Sequence, residues 1–203
     1  MRIYEIEHGE KTQVMPGFSD ADVFNILKKN CSQIWTAMVQ TNKMLFRGMG
    51  EEDRPVIHAK TRIDRTTATF TEPRKQIDAA FTDLGFKAIR TNSISTTSSY
   101  GEAGNFGDVY VILPKDGFAF TWSPVVEDFG SMTGGAYSTN DLPRLMAKYD
   151  CNSVKELLVV VMRYTDQNLP AAIASGNEVS ITGEYYALDA EAFYNKIKSE
   201  LVQ

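Results

Sequence analysis

The apolar positions of this chain follow two different rhythms. In the first third, Val23, Leu27, Cys31, Ile34 and Met38 recur every three or four residues, which is the spacing of a single helix face. Ser19, followed three positions later by Asp22, resembles a capping box, so an opening helix is predicted over about residues 17–44. Met44 to Met49 reads as a short strand. A second helix is predicted from Glu72 to Leu84, with Thr71 as its cap, Pro73 in its first turn and Gly85 at its end. Its inner face is Ile77, Ala80, Phe81 and Leu84.

Beyond Gly85 the rhythm shortens. Ala88 to Thr97 and Asp108 to Leu113 read as strands, the second with so little alternation that burial on both faces is expected. Pro114 to Gly117 supply turn residues and Phe118 to Trp122 a returning strand, which together predict a hairpin. Residues 123–140, with Gly130, Gly134 and Gly135, read as a long loop, and loops of that length are usually functional or disordered. Helical spacing resumes at Asp141 to Tyr149 and Ser153 to Tyr164. Glu178 to Thr182 and Glu184 to Leu188 predict a second hairpin around Thr182-Gly183, and a helix from Asp189 to Leu201 closes the chain. No repeat or linker divides these 203 residues, so a single domain over 1–203 of the α+β class is expected.

Composition narrows the function classes. The longest apolar run, Leu157 to Met162, is far too short to cross a bilayer, and residues 1–5 show no signal-peptide pattern. A cytoplasmic protein with no membrane partner is expected. A net charge of −5 argues against a general nucleic-acid binder. The stretch from Arg54 to Lys75 runs against that balance, with Arg54, Lys60, Arg62, Arg65, Arg74 and Lys75 against Asp64 and Glu72. It is either a solvated face or a local phosphate site. Cys31 and Cys151 lie far apart with no C-x-x-C, and His8 and His58 are isolated, so neither a disulfide framework nor a metal site is expected.

No P-loop, G-x-S-x-G or H-E-x-x-H motif is present, and Gly48-Met49-Gly50 has Asp53 where a dinucleotide loop needs its third glycine. Four other segments carry chemistry-bearing residues in order. Leu45-Phe46-Arg47-Gly48 ends a strand. Ser93-Ile94-Ser95-Thr96-Thr97-Ser98 ends another, and Ala103-Gly104-Asn105-Phe106-Gly107 follows it. Late in the chain comes Gly176-Asn177-Glu178-Val179-Ser180-Ile181, with Tyr185-Tyr186-Ala187-Leu188 after it.

Together these segments resemble the mono-ADP-ribosyltransferases of the Arg, Ser-Thr-Ser, Glu class, which include the clostridial Rho-modifying exoenzymes and bacteriophage enzymes that modify host proteins. The resemblance covers about residues 44 to 188. It implies an α+β ADP-ribosyltransferase-like fold in which two mostly antiparallel sheets form a cleft for NAD, the co-substrate, with no metal. It implies transfer of ADP-ribose to a macromolecular acceptor, a protein first and a nucleic acid second, and a phage-encoded protein acting in host cytoplasm fits the same likeness. Glu178 is then the catalytic residue, and Arg47, Gly48, Ser95, Thr96, Thr97 and Phe106 bind NAD. The alternatives are an NAD glycohydrolase of the same fold and a non-catalytic interaction or virion protein that keeps it.

Each role has a physical basis. A guanidinium holds a pyrophosphate or ribose bidentately, so Arg47 suits an anchor, although Glu51, Glu52 and Asp53 offer it a surface ion pair instead. The hydroxyls of Ser95, Thr96 and Thr97 either pin neighbouring strands and orient the glutamate, or reflect ordinary strand propensity. Cleavage of the nicotinamide–ribose bond builds oxocarbenium-like charge, which a carboxylate at Glu178 stabilises. Phe106 and Trp122 either stack on a ring of NAD or belong to the core. Many of these transferases carry Glu or Gln two residues before the catalytic Glu; here that position is Gly176, which puts an arginine acceptor in doubt.

Overall fold

The computed structural model describes residues 12–13, 20–50, 55–63, 72–128 and 141–202. Among the described residues eight strands form two antiparallel sheets, and helices pack around them, so the chain is α+β. The larger sheet runs β1 (Thr12–Gln13), β3 (Val56–Lys60), β8 (Glu184–Asp189), β5 (Asp108–Pro114) and β2 (Phe46–Met49) in spatial order. The smaller runs β4 (Ile94–Thr96), β7 (Val179–Thr182) and β6 (Ala119–Trp122). The doubly buried strand expected from Asp108 onward is β5, where Val111, Ile112 and Leu113 are fully enclosed.

The opening helical pattern forms two helices, α1 (Asp20–Asn30) and α2 (Ser32–Thr41). Their apolar face is continuous, with Leu27, Cys31, Ile34 and Met38 all buried. The break is at Cys31, with φ −126° and ψ 36°. The new N-terminus is capped from a distance: the Asp116 carboxylate accepts from the Ser32 and Gln33 amides at 3.1 and 2.9 Å and from the Ser32 hydroxyl at 2.7 Å. Ser19 and Thr71, expected as caps, lie outside the described residues. α3 (Glu72–Asp83) ends as expected, with the amides of Gly85 and Phe86 returning to the carbonyls of Thr82 and Phe81.

Neither expected hairpin pairs with itself. β5 joins β8 and β2 in the larger sheet, whereas β6 joins β7 in the smaller. The turn at 115–118 and Gly183 each carry the chain directly from one sheet to the other. One residue between β7 and β8 is too short a loop for a tight hairpin. Gly183 instead exchanges hydrogen bonds with Thr61, at 2.9 Å to the backbone amide and 3.0 Å to the hydroxyl. The strand expected from Ala88 shortens to β4, because Asn92 folds the chain before it into a turn, accepting from the Ile89 amide and donating to the Lys87 carbonyl at 2.9 Å each.

α4 (Tyr100–Gly104) lies against β2. After it come α5 (Asp141–Lys148), α6 (Val154–Glu156), a π-helical turn (Leu157–Val161), α7 (Leu169–Ser175) and α8 (Ala190–Leu201). The helix expected over Ser153 to Tyr164 is thus a short α-turn followed by the π-turn. Most of the loop expected over 123–140 lies outside the described residues. The main core fills the space among α1, α2, α7, α8 and the two sheets. A second apolar cluster gathers Ile77, Phe81, Val126, Leu142, Leu157 and Leu158 on the other side of the small sheet. No helix among the described residues is long and apolar enough to cross a membrane.

Candidate functional site

The small sheet has two unlike faces, a direct result of the two-residue period of its strands. Ile94, Thr96, Val179, Ile181, Phe120 and Trp122 point one way and are buried. Ser95, Ser180 and Thr121 lie side by side in register on the other face, and Glu178 follows two positions before Ser180 on the same side.

Arg47, Ser95 and Glu178 meet where the two sheets touch. Phe46 and Thr97 exchange backbone hydrogen bonds of 2.6 and 2.9 Å, stitching β2 to the end of β4. This places the Arg47 guanidinium on the Ser95 carbonyl at 2.8 Å. The Ser95 hydroxyl donates to Glu178 Oε1 at 2.5 Å. Thr96 and Thr97 act on the backbone: their hydroxyls donate to the carbonyls of Val179 and Gly176 at 2.8 and 2.7 Å. Thr96 is almost wholly buried and faces the core, so its contribution is to pin β4 to β7. Serine and threonine at 95–97 therefore fasten the segment bearing Glu178 at three successive points along one side. Glu51, Glu52 and Asp53, the alternative partners for Arg47, lie outside the described residues.

Gly48 is set by close packing. A Cβ there would meet the Ala103 carbonyl at 2.1 Å and Phe106 Cβ at 2.9 Å, so glycine is what lets α4 seat against β2. Phe106 packs its backbone and Cβ against Gly48 on the edge strand of the larger sheet, and its ring is 77% exposed. Trp122 is core: it is buried, and its indole N–H donates to the Gln167 carbonyl at 2.9 Å.

The approach to Glu178 is a helix end. α7 is capped at its start by Asn168, whose side chain accepts from the Ala171 amide, and it finishes at Gly176 with φ 86°. That left-handed conformation suits glycine and disfavours Glu or Gln, which accounts for the missing side chain two residues before Glu178. The Glu178 amide then donates to the Glu127 carbonyl at 2.6 Å, and Asn177 Nδ2 donates to the Ser123 carbonyl at 2.9 Å. The loop after β6 is thereby tied to the glutamate. No match was found among protein-family models, curated proteins or solved structures.

Four neighbours of Glu178 were not singled out by the sequence. Arg90, Thr121, Tyr164 and Ser180 line a small depression together with Glu178 and Phe81. Burial, reinforced by the Glu178 charge, pushes the Tyr164 phenol far above its ordinary value, so it stays protonated and neutral. Beneath Arg90, on α3, sits Asp78, buried and with Oδ1 lacking a hydrogen-bond partner. Burial raises its pKa to about 6, opposed by the positive charges of Arg90 and Arg74. The alternation Glu178-x-Ser180 was the one available signal for Ser180; Arg90 comes to the site through the Asn92 turn, which no periodicity announces. The basic stretch from Arg54 to Lys75 is described only at residues 55–63 and 72–75. Among the described residues no group of three or more His, Cys, Asp or Glu is placed to hold a metal.

Proposed function

We propose that the seam between the two sheets is the NAD cleft of an ADP-ribosyltransferase-like fold and that the protein transfers ADP-ribose from NAD to a macromolecular acceptor. The observation that carries this reading is the line Arg47–Ser95–Glu178, assembled from three distant parts of the chain by hydrogen bonds of 2.8 and 2.5 Å. In the reaction the ribose–nicotinamide C–N bond breaks, and its electron pair leaves with nicotinamide, which becomes neutral. The acceptor's nucleophile bonds the ribose carbon and loses its proton. Glu178, half-buried and held by Ser95, supplies fixed negative charge where the sugar becomes cationic, which stabilises the transition state more than the ground state. Arg47, oriented by the Ser95 carbonyl, brings a planar positive charge to the seam that suits the anionic part of NAD.

Gly176 favours a second reading, an NAD glycohydrolase with water as the acceptor. The helix end at this position excludes the side chain that would orient a protein nucleophile. One experiment tests both readings: purified protein with NAD labelled on the adenine side, with and without cell lysate, beside Glu178→Gln. Glu178-dependent nicotinamide release with label on macromolecules is the expected result. Release without labelling selects the glycohydrolase, and no Glu178-dependent release overturns both.

A further inference from the structure

The polar face of the small sheet continues past Glu178 into the depression beneath Arg90 and Tyr164. Thr121 is 3% exposed, yet its hydroxyl has no hydrogen-bond partner, a costly arrangement for a buried polar group. It stands directly opposite Ser180 across the β6–β7 pair, so the two side chains project together from the same face. Around them the lining combines apolar groups, among them Phe81 and Val126, with the polar Arg90 and Glu178. The depression has a cavity volume of about 20 Å³. A single water needs roughly 10–15 Å³ and two to four polar partners, so the site matches one water in both size and chemistry.

We propose that Thr121 and Ser180 hold one ordered water against the Glu178 carboxylate, on the side away from Ser95. Thr121 and Ser180 are then positioning residues: Ser95 fixes one edge of the carboxylate and the water fixes the other, so that Glu178 meets the ribose in one orientation. The water satisfies the Thr121 hydroxyl, which the fold otherwise buries at a loss. The catalytic consequence rests on the function proposed above; the water site itself does not.

The test is a crystal structure of the protein at a resolution that shows ordered solvent, with Thr121→Val and Thr121→Ser beside it. The wild type is expected to show a water within about 3.2 Å of Thr121 Oγ1 and of a Glu178 oxygen. Thr121→Val, which matches the shape and suits a strand, is expected to lose it, and Thr121→Ser to keep it. In NAD cleavage, Thr121→Val lowers kcat about tenfold, the size of one hydrogen bond to a charged group, with KM unchanged, and Thr121→Ser restores the rate. Wild-type density with no water bridging to Glu178 overturns the proposal, as does an unchanged kcat in Thr121→Val. A wild-type protein that cleaves no NAD overturns the functional reading alone, and the solvent density still decides the water site.

Discussion

The two faces of the small sheet are built from alternate residues of the same three strands, and they have opposite characters. On one face, Val179 and Ile181 are completely enclosed and pack into the main core. On the other, Ser95, Ser180, Thr121 and Glu178 form a strip of hydroxyls ending in a carboxylate. The first face is indifferent to which apolar group fills it, provided volume is conserved. The second depends on individual atoms. A three-stranded sheet therefore gives stability to the fold from one side and holds a row of polar side chains in register on the other, backed by the core beneath it.

The largest expected effect is at Glu178. Glu178→Gln keeps an oxygen for the Ser95 hydroxyl but removes the charge, so NAD cleavage falls by about a thousandfold or more, followed as nicotinamide release, while circular dichroism stays native. Persistence of turnover would mean that the hydroxyl face is not where chemistry occurs. Ile181→Ala, on the opposite face one residue from Ser180, is expected to cost about 2–5 kcal/mol in urea unfolding. Ser180→Ala costs roughly 0.5 kcal/mol or less. Equal losses for these two neighbours would erase the distinction between the faces.

Asp78, in the helix that roofs the hydroxyl face, gives a pH signature. Its pKa is raised in the fold to about 6, so between about pH 4 and 6 the native state binds more protons than the unfolded chain. This group's contribution to stability therefore declines as pH rises through that window, by roughly 2–3 kcal/mol. Asp78→Asn should flatten that part of the stability–pH curve, measured by urea unfolding at several pH values; an unchanged curve would remove Asp78 as its source. Arg47→Lys leaves the charge but loses the planar fork on the Ser95 carbonyl, and KM for NAD is expected to rise about tenfold with kcat little changed. The smallest effect is remote from both faces. Asp116→Asn weakens the distant cap of α2 by about 1 kcal/mol. Burial works to raise the pKa of Asp116, but hydrogen bonds from Ser32 and Gln33 outweigh it and hold it below its ordinary value. The capping advantage of wild type over Asp116→Asn is thus present above about pH 4 and fades as pH falls further.

The parts of this fold that were legible in the sequence are those decided by neighbours along the chain. α3 with its Gly85 end, β5 with its unbroken apolar run, and α8 beginning after Asp189 all follow from local spacing and caps. The break at Cys31 was hidden because Asp116, which caps the new helix, lies 84 positions from Ser32. α7 was missed although its signals were present, Asn168 and Pro170 at its start and Gly176 at its end, because seven residues hold too few apolar positions to show a period. Both hairpins failed for the same reason: adjacency in sequence suggested pairing, while the registers sent β5 and β8 to one sheet and β6 and β7 to the other. In the site, the meeting of Arg47, Ser95 and Glu178 was suggested by the order of motifs. Thr121, Tyr164 and Arg90 were not, because they reach Glu178 only through cross-strand register and the Asn92 turn.

The order of strands has a consequence for how the molecule comes into being. β7 is the middle strand of the small sheet, and β8 lies between β3 and β5 in the large one. Both come later in the sequence than the strands they pair with. Until they arrive, β4 has no link to β6, and β3 none to β5. Neither sheet can close ahead of them, so folding waits on contacts of long sequence separation and is expected to be slow and concerted. A nascent chain that holds Arg47 and Ser95 but not yet β7 has no partner strand on which to arrange them.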